Sequence, residues 1–221
     1  PGHPVHVFLV SPRILPTRGE IRRSRSTGLL IYILGMQSPR VVEVPVVHAT
    51  RENTAEYGVF IGTDVPAAGL AIPFYKGAVE EGFNLPFVYH EHAVIRTARI
   101  HPRAGRITWL ERHMRMSQLF VGLGDAPLAL VLGKPNPDSD VPDLEQVKAF
   151  ILPPGHGIMI HTGTWHDFPM AIDRPVTVLT ANSAEVVEAL ATQALAEEMD
   201  RGDVRKIDIL RHTGCVLEVT F

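Results

Sequence analysis

Gly155-His-Gly-Ile-Met-Ile-His-Thr-Gly-Thr-Trp-His166 is the stretch whose reading decides the fold. Glycines punctuate it, histidines stand at 156, 161 and 166, and an apolar run from Ile158 to Ile160 sits in the middle. A short apolar run between turn residues reads as a buried strand that delivers polar side chains to a cavity. A second stretch, Thr108-Trp-Leu-Glu-Arg-His-Met-Arg-Met-Ser-Gln118, supplies a partner. Residues two apart on a strand share a face, so Glu111 and His113 point the same way. Gln118 returns to that side if the chain turns between Met114 and Ser117. His161 and His166 are separated by Thr-Gly-Thr-Trp, a spacing that fits a tight turn. Taken singly, each of these residues reads as an ordinary hydrogen-bonded side chain, and Trp165 as core. Together, acid, imidazole and amide groups converging on a barrel mouth provide general acid/base chemistry or an N/O metal site.

Composition bounds the rest. A chain of 221 residues with 45% hydrophobic residues can bury a sizeable core. Lys and Arg (21) nearly match Asp and Glu (24), so there is no nucleic-acid footprint. No apolar run approaches the roughly 18 to 20 residues that span a bilayer. The lone cysteine, Cys215, has no internal disulfide partner. With no Ala-x-Ala cleavage site after the apolar run Leu29 to Leu34, the expectation is a soluble, cytoplasmic protein with no membrane partner.

Residues 1–40 stand apart, rich in breakers and positive charge, and read as a poorly packed extension. The first Met is Met36, so a mis-assigned start upstream of it would account for the segment. From 41 to 221 a single domain is expected. Val41 to Val47, broken by Pro45, suits an edge strand, and Thr50 to Gly58 gives a short helix with an N-cap and a glycine stop. Strands follow at close spacing around 59–61, 71–75, 87–93, 94–100, 106–111, 119–123, 128–132, 147–152, 158–161, 168–172 and 176–180. Turn residues between many of them signal a mostly β sandwich or barrel. Asn182-Ser-Ala-Glu185 resembles a capping box, and apolar residues at helical spacing predict a helix over about 183–201. Ile207 to Leu210 and Val216 to Phe221 then read as a closing hairpin.

The spacing of the two stretches resembles the cupin superfamily, whose first motif is Gly-x5-His-x-His-x3-4-Glu-x6-Gly and whose second is Gly-x5-Pro-x-Gly-x2-His-x3-Asn. Gly105-x5-Glu111-x-His113-x4-Gln118-x5-Gly124 matches the first, one residue short at its end. Gly155-x5-His161-x-Gly163-x2-His166 matches the second, with His161 in place of Pro and Met170 in place of Asn. Glu-Arg-His-x3-Ser-Gln-x-Phe and His-x-Gly-Thr-Trp-His are similar to the ureidoglycolate lyase branch. Val44-Pro-Val-Val-His-Ala-Thr, Glu56-Tyr-Gly58, Tyr89-His-Glu91 and Asp143-Leu-x3-Lys-Ala-Phe150 agree, so the resemblance covers about residues 41–182. Asp167, where the family often has a second His, and the tail after Leu179 depart from it.

The resemblance implies a cupin-type double-stranded β-helix, or jelly-roll barrel, commonly paired as a homodimer. It implies a lyase that splits ureidoglycolate into glyoxylate and urea, in the catabolism of purine and allantoin nitrogen. It assigns His166, His113 and Glu111 to catalysis, with Gln118, Ser117, His161, His90, Trp165 and Arg112 around the substrate and Arg96 as another cation for its carboxylate. Glu111, His113, Gln118 and His166 would be the ligands of a divalent ion (Mn, Zn, Ni or Fe), and no organic cofactor is called for. Two alternatives stay open: a related cupin lyase or hydrolase for another small carboxylate, and a non-enzymatic cupin that binds a small ligand.

Overall fold

The computed structural model of the chain describes residues 38–65 and 69–221. The expected extension, residues 1–40, lies outside the described residues up to Gln37. Pro45, which has no N–H for a ladder, splits the first apolar run into β1 (Arg40–Glu43) and β2 (Val46–His48). Both are edge strands. Helix α1 (Arg51–Thr54) follows, with Thr50 and Asn53 bonding reciprocally across its first turn as a capping box. Then come β3 (Gly58–Ile61), β4 (Ala93–Ile100), β5 (Arg106–Ile107), β6 (Trp109–Arg112), β7 (Gln118–Leu123) and β8 (Leu128–Gly133). After the polar loop come β9 (Lys148–Leu152), β10 (Gly157–Ile160), β11 (Trp165–His166), β12 (Met170–Ala171) and β13 (Val176–Ser183). Helix α2 (Ala184–Ala191), β14 (Met199–Arg201), β15 (Val204–Asp208), α3 (Ile209–Thr213) and β16 (Cys215–Glu218) close the chain.

Two sheets face each other, in the orders β3-β10-β7-β13-β4 and β14-β15-β6-β11-β8-β9-β2, and a third, β1-β16-β5, covers the second from outside. The run Leu128–Gly133 is buried along its whole length because both of its faces are covered. Leu128, Leu130 and Leu132 join the core between the two large sheets, with Phe120, Phe150 and Ile158. Ala129 and Val131 point the other way, into a core shared with Trp165, Ile207 and Leu217. This mostly β, two-sheet architecture is the cupin-type barrel expected. Among the described residues no helix is long and apolar enough to cross a membrane.

Three local expectations change. Residues 71–75 and 87–92 are not strands: Pro73 opens a single 3-10 turn, Pro73–Tyr75, in which Phe74 is 86% exposed, and the chain stays irregular until β4 begins at Ala93. The helix predicted over 183–201 ends at Ala191, where the Thr192 hydroxyl bonds back to the Glu188 and Ala189 carbonyls. Val186 and Ala189 bury against Met116 and Val204, but Leu195 is exposed, so nothing holds the apolar spacing helical beyond that point. The closing hairpin is also absent. β15 pairs with β6 and β14, whereas β16 pairs with β1 and β5, because α3, capped by Asp208 and stopped by Gly214, turns the chain from one sheet to the other.

Leu130 has no exposed surface at the centre of the inner core. Its replacement by Ala is expected to cost about 2–5 kcal/mol, measured by urea denaturation; a loss under about 1 kcal/mol would show that the strands do not close on a packed interior.

Candidate functional site

Antiparallel pairing of β11 with β6 sets His166 directly opposite Glu111, and β15, on the other side of β6, sets Lys206 opposite Glu111 as well. Side chains alternate across a sheet, so Glu111 and His166 face inward while their neighbours Leu110 and Trp165 face the outer core. The turn that delivers β11 runs through Gly163 at φ +81, a conformation that a side chain at this position would strain. The Gly163 N–H donates to the His113 carbonyl at 2.6 Å, which ties the two motif stretches together.

Glu111, His113 and His166 are all buried, with one ligand atom of each within 4.8 Å of the others. Among them, His166 Nε2 lies 3.6 Å from Glu111 Oε1, and Glu111 Oε2 accepts from the Lys206 ammonium at 2.8 Å. Both imidazoles are oriented from behind. His113 Nδ1 lies 2.7 Å from the Asp203 carbonyl and His166 Nδ1 3.1 Å from the Thr164 carbonyl. A carbonyl oxygen only accepts, so Nδ1 carries the hydrogen in both rings, and both Nε2 atoms are buried without a protein partner. Asp203 stands in the two-residue turn between β14 and β15, with φ +58 after Gly202 at φ +56, the pattern of a type I′ hairpin. Its carboxylate accepts from the Met114 and Arg115 N–H groups, which clamps the segment after His113.

Burial dominates the electrostatics. It pushes the His166 imidazolium down to about 4; nearby Glu111 opposes this, and His113 adds to it. Burial alone would raise the Glu111 carboxyl, but Lys206, His166 and His113 together outweigh it and hold Glu111 below the usual carboxylate range. Asp167, next in the chain, is pushed up by burial against the pull of its ion pair with Arg103.

A cavity of about 150 Å³ lies between the sheets and meets the triad at Glu111, walled by Arg96, Glu111, Gln118, Phe120, Thr180 and Asn182. Arg96, offered from the sequence as a cation for a carboxylate, is therefore at the cavity. The other expected positions divide. Gln118 is buried at the wall, but its amide is engaged: Nε2 donates to Thr180 Oγ1 and Oε1 accepts from Asn182 Nδ2, each at 2.6 Å. It does not join the triad as a free fourth ligand. Arg112 and Trp165 are on the opposite face of the sheet, the guanidinium 4.6 Å from the indole centre and paired with Asp140, which corrects their placement at the substrate. Ser117 is spent on structure, its hydroxyl accepting from the Val88 N–H. His161 is exposed, its ring against the Ala55 carbonyl. His90 faces Glu185 at 3.2 Å. None of these five side chains belongs to the triad or the cavity wall. Sequence reasoning missed Lys206, Thr180, Asn182 and Asp203; their distant chain positions left only strand alternation as a signal.

The comparisons with known proteins bear on this geometry. A family model described as ureidoglycolate lyase matches residues 44–200. The chain belongs to the ureidoglycolate lyase family. No curated protein matches. Among solved structures, a dTDP sugar isomerase from Desulfovibrio desulfuricans G20 aligns at 16% identity and TM-score 0.33, over 56% of this chain and 75% of its own. Streptomyces albus HEPD with 2-hydroxyethylphosphonate and Fe(II) bound aligns at 13% identity and TM-score 0.30, over 48% of this chain and 22% of its own. Both overlaps are too slight to carry an argument about the ureidoglycolate lyase site.

His166 has a lowered folded value, so the unfolded chain binds the extra proton between about pH 6.5 and 4. The stability of the metal-free protein is expected to fall as pH drops through that window. His166→Gln should flatten the slope in urea titrations run across it. An equal slope in both proteins would contradict the burial of a neutral imidazole at this position.

Proposed function

We propose that this protein splits ureidoglycolate into glyoxylate and urea. The observation that carries the reading is the pair of buried, unpartnered Nε2 atoms of His113 and His166 beside the Glu111 carboxylate, which itself lines a small cavity. In the substrate one carbon bears a hydroxyl, a carboxylate and the ureido nitrogen. The hydroxyl proton passes to an imidazole Nε2 as the C=O bond of glyoxylate forms. The C–N bond breaks with its electron pair going to nitrogen, and the imidazolium returns the proton to the departing urea. A single ring can therefore serve as base and then acid, and the step needs no nucleophile, redox group or water. Glu111, 3.6 Å from His166, stabilises the positive charge while it resides there. Because Glu111 is held ionised, its part is orientation and charge stabilisation rather than proton donation.

The same residues fit a divalent ion. Two imidazole lone pairs and the Glu111 Oε1 oxygen form an N/O set of the kind Mn, Zn, Ni or Fe accepts. Such an ion, held by Glu111, His113 and His166, would supply Lewis-acid polarisation of the substrate oxygens. Membership of the family supports the substrate assignment. A place in purine-nitrogen catabolism and a homodimeric assembly belong to the same reading.

The test is glyoxylate release from racemic ureidoglycolate, corrected for spontaneous decay, with metal-stripped protein and with added manganese. Release above the blank is expected, and His166→Ala and His113→Ala should each lower it by about 100-fold or more. No release under either condition, or full release by His166→Ala, would overturn the assignment.

A further inference from the structure

The inner face of the five-stranded sheet changes character along its length. β13 pairs with β4 so that Thr180 lies opposite Arg96, and with β7 so that Thr180 lies opposite Phe120. One pleat further, Asn182 comes alongside Gln118. These alternate positions share one face, and three of them are buried amide or hydroxyl groups where apolar side chains would cost less. They close a head-to-tail ring: Gln118 Nε2 donates to Thr180 Oγ1, Thr180 Oγ1 donates to Asn182 Oδ1 at 3.2 Å, and Asn182 Nδ2 donates to Gln118 Oε1. Turning one amide over alone would set like groups against each other, so the ring couples the orientations of the two amides.

The ring leaves unused capacity at the cavity. Each amide oxygen has two lone pairs and the ring occupies one of them. The second N–H of Asn182 has no partner among the described residues, and that of Gln118 reaches only the Leu119 carbonyl, at 3.5 Å. Arg96, which makes no ion pair among the described residues, adds a cation on the same wall. Glu111 stands on the wall contributed by the other sheet. Fixed amide donors and acceptors next to one cation complement a molecule that carries an amide or ureido group and a carboxylate a few bonds apart.

We propose that Gln118, Thr180 and Asn182 form a ureido-reading wall and that Arg96 takes the carboxylate, so that this wall selects the substrate. The proposal deepens the lyase reading and rests on the same cavity. The ring provides its selectivity by holding the three side chains in place before the ligand arrives, so that little ordering is required on binding. A carboxylate that lacks the ureido group would displace water from these groups and leave them unpaired.

The probes are N-carbamoylglycine, which is the proposed substrate without its hydroxyl and cannot be split, and pentanoate, which has the same chain length without the ureido group. By calorimetry on the full chain, N-carbamoylglycine is expected to bind at least about tenfold more tightly than pentanoate. Thr180→Val and Asn182→Leu should each weaken N-carbamoylglycine by about tenfold and leave pentanoate within about twofold. Arg96→Gln, on an exposed strand position, should weaken both ligands by about tenfold or more. Equal affinity for the two ligands in the unaltered protein, or equal weakening of both by Thr180→Val, would overturn the wall. The comparison in the unaltered protein and Arg96→Gln keep the test decisive if the buried variants fail to fold. Turnover of ureidoglycolate without this discrimination would sink the wall and leave the lyase reading; discrimination without turnover would do the reverse.

Discussion

The pairing of two residues, Trp165 and His166, against β6 and β8 is the constraint on which the site depends. In the register found, His166 meets Glu111 across one strand gap and Leu132 across the other. A slip by one residue would turn the indole into the cavity and the imidazole into the outer core, because the side-chain period of a strand is two. Trp165 opposes that slip, since it is fully buried between Arg112 and the outer apolar core. The strongest apolar anchor of the motif thus fixes the face on which the neighbouring imidazole lies. Gly163 serves the same end from the turn, where its left-handed backbone allows the chain to reach β11 and bond back to His113.

With that geometry in place, the electrostatics follow from a conflict. A carboxylate and two imidazoles in an interior would each prefer to be neutral. Lys206 resolves the conflict for Glu111 by placing an ammonium on its far oxygen, which leaves the near oxygen toward His166. Backbone carbonyls resolve it for the histidines by taking the Nδ1 hydrogens. What remains unsatisfied is a pair of buried Nε2 lone pairs beside Glu111, and buried polar atoms without partners are uncommon in folded proteins. The chemistry proposed for the protein uses those atoms.

Much of this was legible in the sequence, for local reasons. Glu111 and His113 share a face by alternation, and the Gly-Thr-Trp-His turn announces a strand that ends in a ligand-type residue. Arg112 was legible as a strand residue but not by face, since it lies between two inward residues and covers the outside, and Trp165 was legible as core but not as part of a strand. The contributions that were missed come from pairing over long separations. Lys206 is 95 positions from Glu111, and a lysine on a strand reads as a solvated charge until its neighbour is known. Thr180 and Asn182 reach Gln118 across 62 and 64 positions, and a threonine or asparagine near a strand end reads as a turn former. The helix after Ser183 was overextended because apolar spacing continues to Leu195 whereas the surface that it covers does not.

Everything proposed for the site rests on His113 and His166 carrying buried Nε2 lone pairs, without a protein partner, beside Glu111. Nitrogen-15 NMR of the imidazole rings in metal-free protein at neutral pH tests it most directly, because the tautomers differ strongly in the shifts of their two nitrogens. The account predicts two buried rings with hydrogen on Nδ1, with that of His166 still lacking a proton on Nε2 near pH 5. Hydrogen on Nε2 in either ring at neutral pH would contradict it.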